Sequence, residues 1–157
     1  MADLKYGIAI KTNMAKASGR FLGISMKKAV EVCNSLRGKS LNSGLRLLDD
    51  VIAEKIPIAY RRHNRGGTGH KPGMGPGRYP IKTCIEIRTI LKSAEANAEQ
   101  KGLDSKSLFI AHICAQKAPI SWHYGRMRRR KMKRSHIEVV LEESSDKTKK
   151  ELGAKKK

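Results

Sequence analysis

Two stretches decide how this chain folds: Leu108-Phe109-Ile110-Ala111-His112-Ile113-Cys114-Ala115-Gln116 and His136-Ile137-Glu138-Val139-Val140-Leu141-Glu142. Both carry the two-residue alternation of a β-strand. In the second, Ile137, Val139 and Leu141 face one way, and His136, Glu138, Val140 and Glu142 the other. In the first, Phe109, Ala111, Ile113 and Ala115 alternate with Leu108, Ile110, His112 and Cys114. Both of those sets are rather apolar, which predicts a central or doubly covered strand. Antiparallel pairing leaves the 19 residues 117–135 as the connection, far more than the roughly two to five of an ordinary hairpin. Such a connection must either flop or project, and about nine or ten extended residues each way would reach on the order of 30 Å.

Upstream the period changes from two to between three and four. Pro80, at a first helical position, opens the longest pattern, in which Cys84, Ile87, Leu91, Ala94 and Ala98 recur until Gly102, predicting a core helix over about 80–101. Ser25 caps a helix 26–37 with Met26, Ala29, Val30, Cys33 and Leu36 on one face and Gly38 at its stop. Ser40 caps another, with Leu41, Leu45, Leu48 and Ile52 on a stripe and Pro57 beyond its end. Lys5 to Lys11 and Ala17 to Ile24 add one or two strands. The class is α+β, with one domain over 1–143 that includes the projecting segment 117–135; residues 144–157, polar and mixed in charge, read as a disordered tail.

The chain has 157 residues, with 34 Lys and Arg against 14 Asp and Glu, a formal charge of +20. That argues against an ordinary metabolic enzyme and for an anionic partner. Two segments concentrate the excess. Residues 61–79 hold Arg61, Arg62, Arg65, Lys71 and Arg78; residues 121–134 hold Arg126, Arg128, Arg129, Arg130, Lys131, Lys133 and Arg134; neither contains an acid. Nine of these twelve are Arg, against four of the 22 basic residues elsewhere. Arg presents a planar fork that matches phosphate and stacks on bases, so the choice points to nucleic acid. Trp122, His123 and Tyr124 beside Gly125 and Arg126 add stacking surface suited to unpaired or irregular RNA; the alternative is a small satellite core beneath the arm. Pro57 to Pro80, with six Gly and four Pro, reads as a long loop whose glycines admit phosphates and whose Arg61, Arg62, His63 and Arg65 clamp them.

Other chemistries lack their spacing. The glycine runs at Gly67-Thr68-Gly69 and Gly73 to Gly77 match neither phosphate-loop nor dinucleotide fingerprints. His63 and His70 have no cysteine partners, and His112 in its strand reads as structural. Cys33, Cys84 and Cys114 are scattered and odd in number, hence reduced core residues rather than disulfide or zinc ligands. No nucleophile, base and orienter set is evident, no cofactor is implied, and no apolar run is long enough to span a membrane. An architectural double-stranded DNA binder is the alternative to an RNA-binding protein.

The runs Ala15-Lys16-Ala17-Ser18-Gly19-Arg20, Ser25-Met26-Lys27-Lys28-Ala29, Leu36-Arg37-Gly38-Lys39, Gly77-Arg78-Tyr79-Pro80, Ser93-Ala94-Glu95-Ala96-Asn97-Ala98 and His136-Ile137-Glu138-Val139-Val140 resemble the universal large-subunit ribosomal protein family numbered twenty-two. The long Arg-rich loop before Gly77 is similar to archaeal and eukaryotic members, an archaeal source above all. The resemblance implies three helices packed on a small three-stranded antiparallel sheet with a long protruding β-hairpin. It implies a cytoplasmic structural constituent of the large ribosomal subunit that binds large-subunit rRNA at several domains, aids assembly and lines the peptide exit tunnel. Its implied partners are that rRNA, neighbouring ribosomal proteins and the nascent polypeptide near the hairpin tip, with no small-molecule substrate. By position, Lys16, Arg20, Lys27, Lys28, Arg37 and Lys39 become domain contacts to rRNA, with Tyr79 in the Gly-Arg-Tyr-Pro run, Asn97 in the helix motif and Gly125-Arg126 near the hairpin tip. The chain departs from the family in its ascending arm, where Lys117 to Tyr124 is short and nearly neutral.

Overall fold

In a computed structural model that describes residues 6–143, the central strand is the last one. Nine elements precede or include it: β1 (Met14–Leu22), α1 (Met26–Leu36), α2 (Leu41–Ile52), β2 (Ile58–Ala59), β3 (His70–Lys71), β4 (Gly75–Arg78), α3 (Ile81–Gln100), β5 (Leu108–Lys117) and β6 (Ser135–Glu143). The main sheet runs β1-β6-β5, antiparallel throughout, so β6 pairs on both sides. Its Ile137, Val139 and Leu141 face the helices and are buried, as their alternation predicts. On its other face Glu138 and Val140 are buried too, and the chain preceding β1 crosses over Glu138, where a side chain at Gly7 would meet the Glu138 Oε1 atom at 3.2 Å. The strand expected at Lys5–Lys11 is therefore, over 6–11, an irregular cover, and the strand expected at Ala17–Ile24 is β1. His112 Nε2 lies 2.9 Å from Glu138 Oε1 and satisfies that buried carboxylate, which is the structural role expected of this histidine.

A bulge corrects the reading of β5. Ile110 pairs with Leu141 but His112 with Val140, so Ala111 is an extra residue and the alternation changes phase there. Leu108, Ile110 and Ile113 consequently share the buried face, although strict alternation puts Ile113 on the opposite side from the other two. The three helices cover this face. Cys84, Ile87, Leu91, Ala94 and Ala98 of α3 are fully buried, as their spacing predicts; Pro80 takes the cap position just ahead of the helix rather than its first turn. α3 lies close on β1 because Gly19 has no side chain: a Cβ there would stand 2.5 Å from Ile90 Cδ1. Ser40 caps α2, accepting a hydrogen bond from Ser43 N–H. Cys33 and Cys84 are buried, and burial pushes both thiols up to about 12, which keeps them protonated and inert.

Both outer strands have edge groups already engaged. Asn97 Nδ2 donates to the Lys16 carbonyl and Lys101 Nζ to the Met14 carbonyl of β1. On β5, Gly38 N–H donates to the Ile110 carbonyl and Ile110 N–H to the Lys39 carbonyl.

Residues 57–80, expected as a loop, fold into a second sheet, β2-β4-β3. Its strands are as short as the Gly and Pro content requires. What fixes its position is Glu31, a buried carboxylate on α1. The two oxygens accept hydrogen bonds from the backbone N–H of Arg61 (3.1 Å), Arg62 (2.9 Å) and His63 (2.7 Å). Glu31→Ala leaves those donors unpartnered and is expected to cost at least about 2 kcal/mol. In thermal unfolding of the full chain that appears as a midpoint about 4–8 °C lower, with loss of hydrogen-exchange protection at the amides of 61–63. Protection persisting in the variant would show that Glu31 does not anchor the loop.

Candidate nucleic-acid interface

The predicted basic residues fall into three groups on this scaffold. The first lies on β1 and at the start of α1. Lys16 and Arg20, four residues apart on β1, are exposed on the sheet face away from the helices, whereas Lys27 and Lys28 are exposed in the first turn of α1 itself. The Lys16 ammonium stands 5.5 Å from the Tyr6 ring centroid.

The second group surrounds Glu31. Arg37 and Lys39 follow α1, and Arg37 Nη2 donates to the Ile113 carbonyl at 3.1 Å. With their backbone held by Glu31, Arg61 and Arg62 extend into solvent while His63 is half-buried. Arg37, Lys39 and Arg61 line one cleft of about 350 Å³; Arg37, Arg61 and Arg62 line a second of about 420 Å³ beside Cys33 and Cys114. Residues far apart in sequence thus converge. Elsewhere in the second sheet the cations are partly engaged: Lys71 sits over the Tyr79 ring at 5.2 Å, and Arg78 over the Tyr60 ring at 5.8 Å while its Nη2 donates to the Gly66 carbonyl. Burial pushes the Tyr60 hydroxyl up to about 12 in spite of the neighbouring Arg78. Arg65 is exposed at the loop's far end.

The third group is the connection between β5 and β6. It is a narrow hairpin: Ala118 N–H donates to Arg134 O, Met132 N–H to Ser121 O and His123 N–H to Arg130 O, around a short 3-10 turn at Gly125–Met127. Trp122 bridges to Lys131, whose ammonium lies 4.6 Å from the indole centroid. Trp122 is 56% and Tyr124 88% exposed, so they form no satellite core. Arg126, Arg128, Arg129, Arg130, Lys131 and Lys133 are exposed as well, while Arg134, at the root, and His123, next to the turn, are half-buried.

The electrostatics are one-sided. Among the described residues the acid–base pairs are Arg88 with Asp49 at 3.0 Å and His112 with Glu138. None of the predicted basic residues is paired with an acid side chain of the described residues, and Glu31, the acid in their midst among those residues, is engaged by backbone N–H groups. Phosphates would therefore meet these cations without having to displace a carboxylate. No group of three or more His, Cys, Asp or Glu among the described residues is placed to hold a metal ion, and none of the described helices is long and apolar enough to cross a membrane. Glu31 escaped sequence reading because a single acid in a helix carries no pattern; its only signal is its place between Val30 and Val32.

The family model described as ribosomal protein L22p/L17e matches residues 17–142. The large ribosomal subunit protein uL22 of Methanocaldococcus jannaschii is 40% identical over 152 residues, covering 91% of this chain and 97% of that protein. Its counterpart from Methanococcus maripaludis is 38% identical over 151 residues, 91% of this chain and 99% of the relative. That of Archaeoglobus fulgidus is 38% identical over 140 residues, 84% and 90% of the two chains. All three relatives are archaeal, in line with the resemblance drawn from the Arg-rich loop. With the matched region spanning all three helices and nearly the whole main sheet, the chain belongs to the ribosomal protein L22p/L17e family.

Proposed function

We propose that this chain is a structural, non-enzymatic constituent of the large ribosomal subunit in the cytoplasm, holding several domains of the large-subunit rRNA together during assembly and in the finished particle. The observation that carries this reading is the set of exposed cations on β1, α1, the Glu31 clefts and the hairpin, none paired with an acid among the described residues. A folded surface that leaves so many like charges unneutralised gains most from a polyanion. Their distribution over three separate regions suits several RNA segments better than one groove. Neighbouring ribosomal proteins complete the surroundings.

In this reading the hairpin 118–134 extends into RNA and lines the exit tunnel, its turn near the nascent polypeptide. If each side is extended, about seven residues reach about 20–25 Å. Charge is carried by the turn and the returning side, whereas the outgoing side contributes Trp122 and Tyr124. Exposed aromatic faces favour unstacked bases, which a smooth DNA duplex does not offer, so RNA is preferred over the architectural DNA alternative.

Co-sedimentation tests the assignment: the chain is expected to travel with the large subunit in moderate salt, and its release into the soluble fraction would refute it. For rRNA fragments, about six phosphate contacts imply an affinity loss of roughly a thousandfold between about 50 and 200 mM salt. Replacing Arg126, Arg128, Arg129 and Arg130 by Gln is expected to reduce the slope of log affinity against log salt by about three to four, with an unchanged unfolding midpoint. An unaltered slope would remove the hairpin from the RNA interface.

A further inference from the structure

The root of the hairpin holds an exposed aromatic ring in a backbone conformation that aromatic residues rarely adopt. β1 pairs regularly with β6 as far as Gly19 with Ile137, then shifts, resuming at Leu22 with Ser135, so Arg20 and Phe21 form a bulge opposite His136. Phe21 has φ of 52°. For a bulky side chain this is strained, and it persists only where the surroundings impose it. They do so here: Phe21 N–H donates to His136 Nδ1 at 3.2 Å, Arg134 Nη1 donates to the Phe21 carbonyl at 3.4 Å, and the two rings meet edge to face at 4.8 Å. The ring held in this way is 56% exposed and belongs to no core cluster.

Beside it lies a cleft of about 390 Å³ whose walls include Gly23, Lys82, His123, Lys131, Lys133 and Arg134, with no acid among the described residues. Arg134 Nη1 and Lys82 Nζ both approach Gly23, within 3.4 and 3.7 Å of the point a Cβ would occupy. Two cations crowded round one point, with no acid partner among the described residues, are placed to receive an anion. Arg134 joins the two features, reaching into the cleft and holding the aromatic residue by its carbonyl.

We propose that this bulge docks one unpaired nucleotide of an RNA strand, its base stacked on Phe21 and its phosphate in the Lys82–Arg134 cleft. The proposal rests on the RNA-binding reading above and adds a residue outside the basic clusters. An RNA strand rather than a free nucleotide is indicated by the row of cations that continues from Lys133 and Lys131 to Arg130, Arg129 and Arg128 along the hairpin.

The test compares two RNA duplexes, alike except that one carries a single bulged 2-aminopurine, for binding to the full chain. Phe21→Gly removes the ring at a position whose φ suits glycine, so folding is expected to be preserved. This variant should bind the bulged RNA about tenfold more weakly, bind the smooth duplex within about twofold of the original chain, and no longer quench the 2-aminopurine. Phe21→Tyr should retain both affinity and quenching. Equal losses on the two duplexes, or no loss on either, would overturn the proposal while leaving RNA binding standing. Failure of the original chain to bind either RNA would overturn both.

Discussion

Burial of β6 on both faces is the constraint from which the rest of the structure follows. A strand enclosed in this way needs partners on each edge and cover above and below. β1 and β5 supply the edges, the three helices one cover, and the residues ahead of β1 the other. The single charge that burial imposes on it, Glu138, is answered across the sheet by His112. Because β6 begins where the hairpin ends, its position also decides where the Arg-rich segment emerges from the domain.

The handling of charge follows the same economy. At physiological salt the screening length is about 8 Å, so cations on a small domain repel unless they are spread over the surface or neutralised. Here they are spread over the solvent face of β1, the start of α1, the Glu31 clefts and the hairpin. The acid nearest the clefts is occupied by main-chain donors, so it orders the loop without cancelling its guanidinium groups. Positioning and neutralisation are thereby separated, and the net positive potential remains available to an external polyanion.

Periodicity made the extents of the helices and of β6 legible, although in α1 and α2 the buried face is turned from the expected stripe, with Val32 and Val51 fully buried and Met26, Val30, Leu45 and Ile52 half-buried. The Ser40 cap and the buried set on α3 follow directly from that reading. It failed where a local irregularity breaks the count. One extra residue at Ala111 moves Ile110 and Ile113 onto the same face, and nothing in a stretch apolar on both sides marks where the phase changes. The segment before β1 has some strand character but crosses the sheet as cover, a tertiary outcome that local preference does not encode. In 57–80, Gly and Pro announced turns, yet turns spaced by a few residues also permit the miniature sheet that forms. The basic residues were readable by composition; their convergence around Arg37 and Arg61 was not, since it depends on the bonds to Glu31. The tail expected over 144–157 lies outside the described residues.

The engaged edges of the main sheet bear on the life of the chain before it meets its partner. An open strand edge is a template on which a second copy can add a strand, and a newly made chain at high local concentration is most exposed to that hazard. With carbonyls of β1 taken by Asn97 and Lys101, and Ile110 of β5 bonded to the α1–α2 turn, such addition must first break native bonds. Mutual repulsion between copies that each carry +20 opposes it further. The features that prepare this molecule for a polyanion therefore also keep unassembled copies apart from one another.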